Sequence, residues 1–380
     1  MSPASNAFGP GALAVTVVVA SDRGDGRVVD VRVASTRPVG FSTALFVNRP
    51  ADEIPALVGR LHALCGLSHA TAGATAIAAA RGGDWRATAA ARFDGLVAER
   101  LGEHLRSIFL GPTARAAGDV PREALADLRA VLAATRQLAA TGEPPIGAGA
   151  RATAIESARN GMERLGLVLD GHGRPWWPSG SWADDVVRRA ADAGGDVHLP
   201  ADPLGPDDDA AVVAALAADP QGFAAVPRLG TRRPETGAFA RSVLRTGGGA
   251  FGGRERLEAR LGEIARAGRT LEAGAEARRR EIDDWVSAGT LGADTGYAAV
   301  ESPRGRLHHL VRLDAAGRVA AYAVLAPTEW NFGPDGPFAA TVRANRVTAD
   351  EIGRSRVERL AAVLDPCVGF AVTVEERADA

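Results

Sequence analysis

Two cysteines and seven histidines hold all the thiol and imidazole chemistry of this 380-residue chain. Two of the histidines flank one of the cysteines. In Arg60-Leu61-His62-Ala63-Leu64-Cys65-Gly66-Leu67-Ser68-His69, His62 stands three residues before Cys65 and His69 four after it. If the stretch is helical, those spacings put the three side chains on one stripe. The other cysteine lies near the far end, in Leu364-Asp365-Pro366-Cys367, where the proline ring makes the approach to the thiol stiff. Thiolate and imidazole both suit iron, nickel and zinc. Such chemistry requires the two cysteines to meet in the fold. Otherwise each reads as a small buried hydrophobe.

The elements that must position these groups are mostly helical. Leu13–Val19 and Arg27–Ser35 read as a β-hairpin around Asp22-Arg23-Gly24-Asp25-Gly26. Asp52 to Ala80 reads as helix, broken near Gly66, with Asp52 as its cap. Helices follow over Asp84–Phe109, Pro121–Ala140 and Arg151–Leu165. Gly166–Ala183, with three tryptophans, reads as a loop that is either a partner surface or half-buried packing. Short helices over Asp184–Ala193 and Asp207–Ala218 precede an irregular Pro220–Arg241. Arg254–Ala288 reads as one long, charged, partly solvated helix. Tyr297–Glu301, Leu307–Leu313 and Val319–Leu325 read as strands, and Asp350–Leu364 as a final helix capped by Asp350. In the second of these strands His308 and His309 point to opposite faces, and His308 is expected to be exposed. The expected class is α+β, mainly α, with a central helical bundle and small β elements near both ends. One domain is expected over 1–380: a hairpin portion at 1–50, a mainly helical portion at 51–295, and β elements, a helix and the second cysteine motif at 296–380.

Composition narrows the partners. A net charge of −2 argues against a general nucleic-acid binder, which carries a basic excess. Two cysteines are too few for a disulfide framework. Gly11–Ala20 is apolar but too short to span a bilayer, and no later run reaches spanning length, so no membrane insertion is expected. The beginning of the chain does not read as a signal peptide. The expected compartment is the cytoplasm, where thiols stay reduced. Every basic residue is arginine.

Five segments, in order, resemble the large subunit of nickel–iron hydrogenases. Arg60–His69 is similar to that family's R-x-C-x-x-C-x-x-x-H, with His62 where the first cysteine stands. Asp365-Pro366-Cys367-Val368-Gly369-Phe370-Ala371-Val372-Thr373 is similar to its D-P-C-x-x-C-x-x-H, with Phe370 and Thr373 replacing the last cysteine and the histidine. Glu301-Ser302-Pro303-Arg304-Gly305-Arg306-Leu307-His308-His309 is similar to E-A-P-R-G-x-L-x-H, and Pro327-Thr328-Glu329-Trp330-Asn331 to P-[ST]-x-W-N. Pro227-Arg228 and Glu235–Arg241 are similar to its P-R…E-x-G-P-L-A-R run.

In that family four cysteines hold nickel, and the second of each pair also bridges to an iron that carries two cyanides and one carbon monoxide. The resemblance implies that Cys65 matches a bridging cysteine and Cys367 a terminal one, so a full nickel tetrathiolate is not expected. The family's proton-moving glutamate has no counterpart among Gly9–Ala14. Cysteine-poor relatives of this kind are hydrogenase accessory proteins of the HupK type. The implied role is a non-catalytic scaffold that holds an iron–dicyanide–carbonyl unit, transiently, between Cys65 and Cys367. Its partners would be the immature hydrogenase large subunit and other maturation proteins. His62 is either a third ligand or a filler of the vacated cysteine's space. His69 is expected to orient a thiolate. Arg304 is either a structural ion pair with Glu301 or Asp365, or, with Pro327 and Thr328, part of a pocket whose donors meet the cyanides. Three alternatives stay open: a divergent catalytic large subunit, a zinc site of Cys65, Cys367, His62 and His69, and a purely structural interaction protein.

Overall fold

A computed structural model describes residues 11–20, 26–37, 41–110, 121–139, 147–191, 199–247 and 250–377. The chain opens with the expected hairpin, β1 (Ala12–Ala20) and β2 (Val28–Ser35). Leu13, Val15, Val17 and Val19 point into the core, as period-two alternation requires. Most of the expected turn, 22–25, lies outside the described residues.

Helices α1 (Ile54–Leu61) and α2 (Gly66–Ala80) replace a single helix, broken where Gly66 suggested. Next come α3 (Phe93–Leu110), α4 (Arg122–Ala139) and α5 (Ala148–Leu165). After the shorter helices Trp182–Ala191 and Asp209–Ala218 come α6 (Ala238–Thr246) and α7 (Gly253–Glu272). Leu101, Leu128, Val131, Met162, Leu261 and Ile264 join α3, α4, α5 and α7 in one apolar core.

A second sheet follows: β3 (Val286–Gly292), β4 (Thr295–Ser302), β5 (Gly305–Leu313) and β6 (Val319–Leu325), antiparallel and in the order β6-β5-β4-β3. Helix α2 lies against β4 and β5. Its alanines, glycine and threonines keep it thin enough for a close approach. A Cβ on Gly296 of β4 would stand 2.2 Å from the Ala76 carbonyl oxygen. The chain ends with the short helix α8 (Pro327–Asn331), then α9 (Pro337–Ala344), α10 (Glu351–Leu364) and β7 (Gly369–Arg377).

Strand β7 pairs in parallel with β1, setting Phe370 opposite Leu13 and Val372 opposite Val15. The sheet order is therefore β7-β1-β2, with the first strand central. Its apolar face packs on α9 and α10 through Phe338, Val342 and Val357. This pairing brings the first and last described strands together.

Several expectations need correcting. Asp52 caps no helix: Pro50 precedes the first turn, and the Asp52 carboxylate instead pairs with Arg81 at 2.6 Å. The stretch 84–109 is two helices, Trp85–Ala90 and α3. Part of Pro220–Arg241 is helical, because α6 begins at Ala238. The long charged helix breaks at Ala273-Gly274, resumes over Ala275–Trp285, and gives way to β3 at Val286. Nor is α7 a solvated helix: Arg256, Arg260 and Glu263 are buried, each facing an opposite charge. His308 is fully buried rather than exposed, and its Nε2 meets Asp209 at 2.9 Å. In the tryptophan loop, Trp182 stacks on Phe109 and Trp177 packs on the helical core, while Trp176 stays exposed.

Candidate functional site

Cys65 stands at the elbow between α1 and α2. The expected helical stripe does not form, because His62 (φ −117°, ψ 73°) and Cys65 (φ −142°, ψ 33°) leave helical geometry. The corner is instead closed by hydrogen bonds. The Cys65 N–H donates to the His62 carbonyl and the His69 N–H to the Cys65 carbonyl, each at 3.0 Å. The two helices almost touch here: a Cβ on Gly66 would lie 2.7 Å from the Gly59 carbonyl oxygen.

The elbow still gathers its histidines. The His62 and His69 rings stack with centroids 3.5 Å apart. His62 Nδ1 lies 2.9 Å from the Val58 carbonyl. A carbonyl only accepts, so Nδ1 carries the proton and Nε2 keeps its lone pair. His69 Nδ1 meets His309 Nε2 at 2.9 Å, and His309 Nδ1 meets the Tyr322 hydroxyl at 2.6 Å. Burial lowers the affinity of all three rings for a proton, so they are neutral at neutral pH.

Helix α3 holds the elbow from beneath. The Glu99 carboxylate accepts from the N–H groups of Leu67 (2.7 Å) and Ser68 (2.9 Å) and from the Ser68 hydroxyl (2.5 Å). These are free donors at the start of α2, where negative charge is favoured. Burial nevertheless pushes Glu99 up to about 7. Cys65 itself is buried, and burial pushes its thiol up to about 12. The thiol is therefore protonated at neutral pH, and metal capture there must release a proton.

Cys367 enters from the other end of the chain. Asp365 ends α10 in the left-handed conformation (φ 51°), Pro366 follows, and β7 starts two residues after the cysteine. Thr328 sits against it. Its Oγ1 lies 3.1 Å from the Cys367 sulfur and accepts from the Cys367 N–H at 3.3 Å. Pro327 opens α8 and is buried, which holds Thr328 in place.

Arg304 links the two motifs. One of its nitrogens lies 3.5 Å from the Cys65 sulfur and donates to the Leu64 carbonyl at 3.3 Å. Two of its nitrogens donate to Glu103 at 3.2 Å, and Nε faces Asp365 at 3.5 Å. The structural ion pair is thus with Asp365 and Glu103. Glu301 is engaged elsewhere, by Arg241 at 2.6 Å and Arg306 at 2.8 Å. Burial opposes the charge on Arg304, while Asp365 and Glu103 favour it, as would a thiolate at Cys65 or Cys367. The same guanidinium therefore senses both thiols.

Sequence reasoning missed three residues of this pocket. Arg37, at the end of β2, pairs with Glu329 at 2.7 Å, and its charge reaches Cys65, Cys367, His62 and His69. Nothing in its local sequence marks it. Glu99 and Glu103 could have been flagged: two carboxylates one helical turn apart repel unless each has a partner, and the local sequence supplies one, Arg106, to Glu103 alone. Among the described residues no three His, Cys, Asp or Glu side chains form a group able to hold a metal.

The architecture is that of nickel–iron hydrogenase large subunits. The chain superposes on an NAD+-reducing [NiFe]-hydrogenase with a TM-score of 0.62 and 17% identity, over 92% of this chain and 94% of that one. It superposes on the Ni-Fe-Se hydrogenase of Desulfovibrio vulgaris Hildenborough, in its as-isolated oxidized state, with a TM-score of 0.61 and 16% identity, over 94% and 98%. No family model matches the chain. In sequence it is 37% identical to the hydrogenase expression/formation protein HupK of Rhizobium leguminosarum bv. viciae, over 92% of this chain and 94% of the relative. The corresponding protein of Bradyrhizobium diazoefficiens is 34% identical over 88% and 90%, and HoxV of Cupriavidus necator is 30% identical over 90% and 93%. The chain belongs to the HupK family of hydrogenase expression/formation proteins. Its full-length relatives are named for expression and formation of hydrogenase, which sets it with the accessory members of this fold.

Proposed function

We propose that this protein is a scaffold for hydrogenase maturation. It holds an iron–dicyanide–carbonyl unit as cargo between Cys65 and Cys367 and hands it to the immature hydrogenase large subunit or to another maturation protein, in the cytoplasm. The observation that carries this reading is that the chain's two cysteines, far apart in sequence, converge on one buried guanidinium: Arg304 lies 3.5 Å from the Cys65 sulfur, and Cys367 is within electrostatic reach of it. An iron already carrying three diatomic ligands needs few protein ligands. Two thiolates suffice where a nickel tetrathiolate would need four, and His62 keeps a free Nε2 as a possible third ligand. Arg304 supplies charged donors and Thr328 a hydroxyl to the negative ends of cyanides, which need such donors in a dry pocket. Arg37 adds a second positive charge toward the same anion.

The test is infrared spectroscopy, with iron and nickel analysis, on protein produced beside the full cyanide- and carbonyl-forming machinery. Cyanide and carbonyl bands with iron and little nickel are expected. Cys65→Ala or Cys367→Ala should each abolish the bands. Nickel or zinc at one per chain without diatomic bands would overturn the reading. Nickel-dependent hydrogen turnover with this protein as sole large subunit would replace it with a catalytic one.

A further inference from the structure

Beside Arg304 lies a small cavity of about 20 Å³. Its lining includes His104, Arg260, Arg304 and Asp365, all buried or nearly so. Each of these four side chains carries polar atoms that make no hydrogen bond within the protein: both His104 ring nitrogens, Nε and Nη2 of Arg260, Nε of Arg304 and Oδ2 of Asp365. Buried polar atoms are almost always satisfied, so this concentration around one cavity calls for a ligand. Direct pairing does not supply it. Asp365 Oδ2 lies 3.5 Å from Arg304 Nε and 3.4 Å from Arg260 Nη2, too long or too poorly aligned for hydrogen bonds. Its other oxygen is already taken by the Ser107 hydroxyl at 2.6 Å.

We infer that this cavity is a hydration site, holding one ordered water that bridges Asp365 Oδ2 to the Arg304 and Arg260 guanidinium groups. The volume suits one water, which needs on the order of 10–15 Å³, and is far too small for an iron unit. A water also matches the chemistry, since it can donate to the carboxylate and accept from a guanidinium, giving the two or more partners a buried water requires. An anion is disfavoured by the charge balance. Arg304 faces Glu103 and Asp365, Arg256 is paired with Glu235 at 2.6 Å, and burial pushes His104 down to about 4, leaving it neutral. The bridge fixes Arg304 at its Nε, so that its opposite edge meets Glu103 and the Cys65 sulfur. It makes the guanidinium at the thiol a fixed donor rather than a mobile one.

The inference is independent of any metal and is tested on the protein as purified. A high-resolution crystal structure should show one density peak within hydrogen-bond distance of Asp365 Oδ2 and of Arg304 Nε. Ala238 also lines the cavity, so Ala238→Val tests the same point by filling it. If a water is held there, its displacement strands the polar atoms, and the melting temperature falls. A dry cavity would instead give no peak and a variant as stable as the wild type or more so, because filling a dry void adds contacts. That result overturns the inference. So does an anomalous peak at the site in crystals grown from bromide, which would make the ligand an anion. The wild-type density decides the question even if the variant fails to fold.

Discussion

The guanidinium of Arg304 faces two acids and a thiol in a site where its side chain is 2% exposed. Arg304→Leu leaves Glu103 and Asp365 partly buried without their shared cation. Each acid keeps a second cation, Arg106 for Glu103 and Arg260 for Asp365, so the loss is that of charged hydrogen bonds, about 1.5–3 kcal/mol. Urea unfolding of the purified variant should register a loss of that order, and an unchanged midpoint would show that Arg304 carries no such role. Arg37→Gln is expected to act differently. It removes one charge near the thiols while Glu329 loses its partner, and in loaded protein it should shift the cyanide bands and weaken iron retention without abolishing either. Glu99 supplies a pH signature. Burial raises its folded pKa from 4.5 to about 7. Between those values the native state binds more protons than the unfolded chain, so this group's contribution is full below pH 4.5 and is lost as pH rises through about 7. Unfolding free energies measured across that range should carry this downward component in the wild type and lack it in Glu99→Gln. Parallel profiles would refute the assignment.

At the scale of elements, the elbow between α1 and α2 places Cys65, and it depends on two helices meeting backbone to backbone. No side chain fits between Gly59 and Gly66, where a Cβ on the latter would sit 2.7 Å from a carbonyl oxygen. Gly66→Ala should therefore force the corner apart. A cost on the order of 1–3 kcal/mol is expected, as for other overpacked positions, together with faster alkylation of Cys65 as the corner opens. A variant with wild-type stability and thiol reactivity would mean the elbow tolerates separation. The break at this corner was legible in advance, because a glycine inside a helical pattern marks a weak point. The stacking of His62 on His69 was not. A continuous helix would have set them two turns apart along one stripe, whereas the corner folds one ring onto the other.

At the scale of the molecule, the pairing of β7 with β1 carries Cys367 to the pocket. Val372 lies opposite Val15, is 7% exposed, and packs in the same core as Phe338 and Val357. Val372→Asp would bury an unpaired charge in that core. It should lower the melting temperature sharply and raise the reactivity of Cys367 toward alkylating reagents more than that of Cys65. Equal changes at both thiols would point to global loosening rather than release of the C-terminal strand.

By itself the sequence determined the two cysteine motifs, the hairpin, three of the four strands of the second sheet and the main helices, because those are written in local spacing, capping and alternation. The cap at Asp350 is of this kind: its carboxylate accepts from the Gly353 N–H at 2.8 Å, as the sequence implied. What only the tertiary structure decided depends on partners distant in the chain. The short run Phe370-Ala371-Val372-Thr373-Val374 becomes a strand because β1 offers it an edge. His308 is buried because Asp209, far earlier in the chain, meets it. The charged face of α7 is internal because Glu235, Arg241 and Asp365 supply opposite charges, and a run of arginines and glutamates reads the same whether its partners are water or one another. Glu99, Glu103 and Arg37 join the thiol pocket for the same reason: local sequence records a side chain's charge, while the charge it faces is set by the packing of elements far apart along the chain.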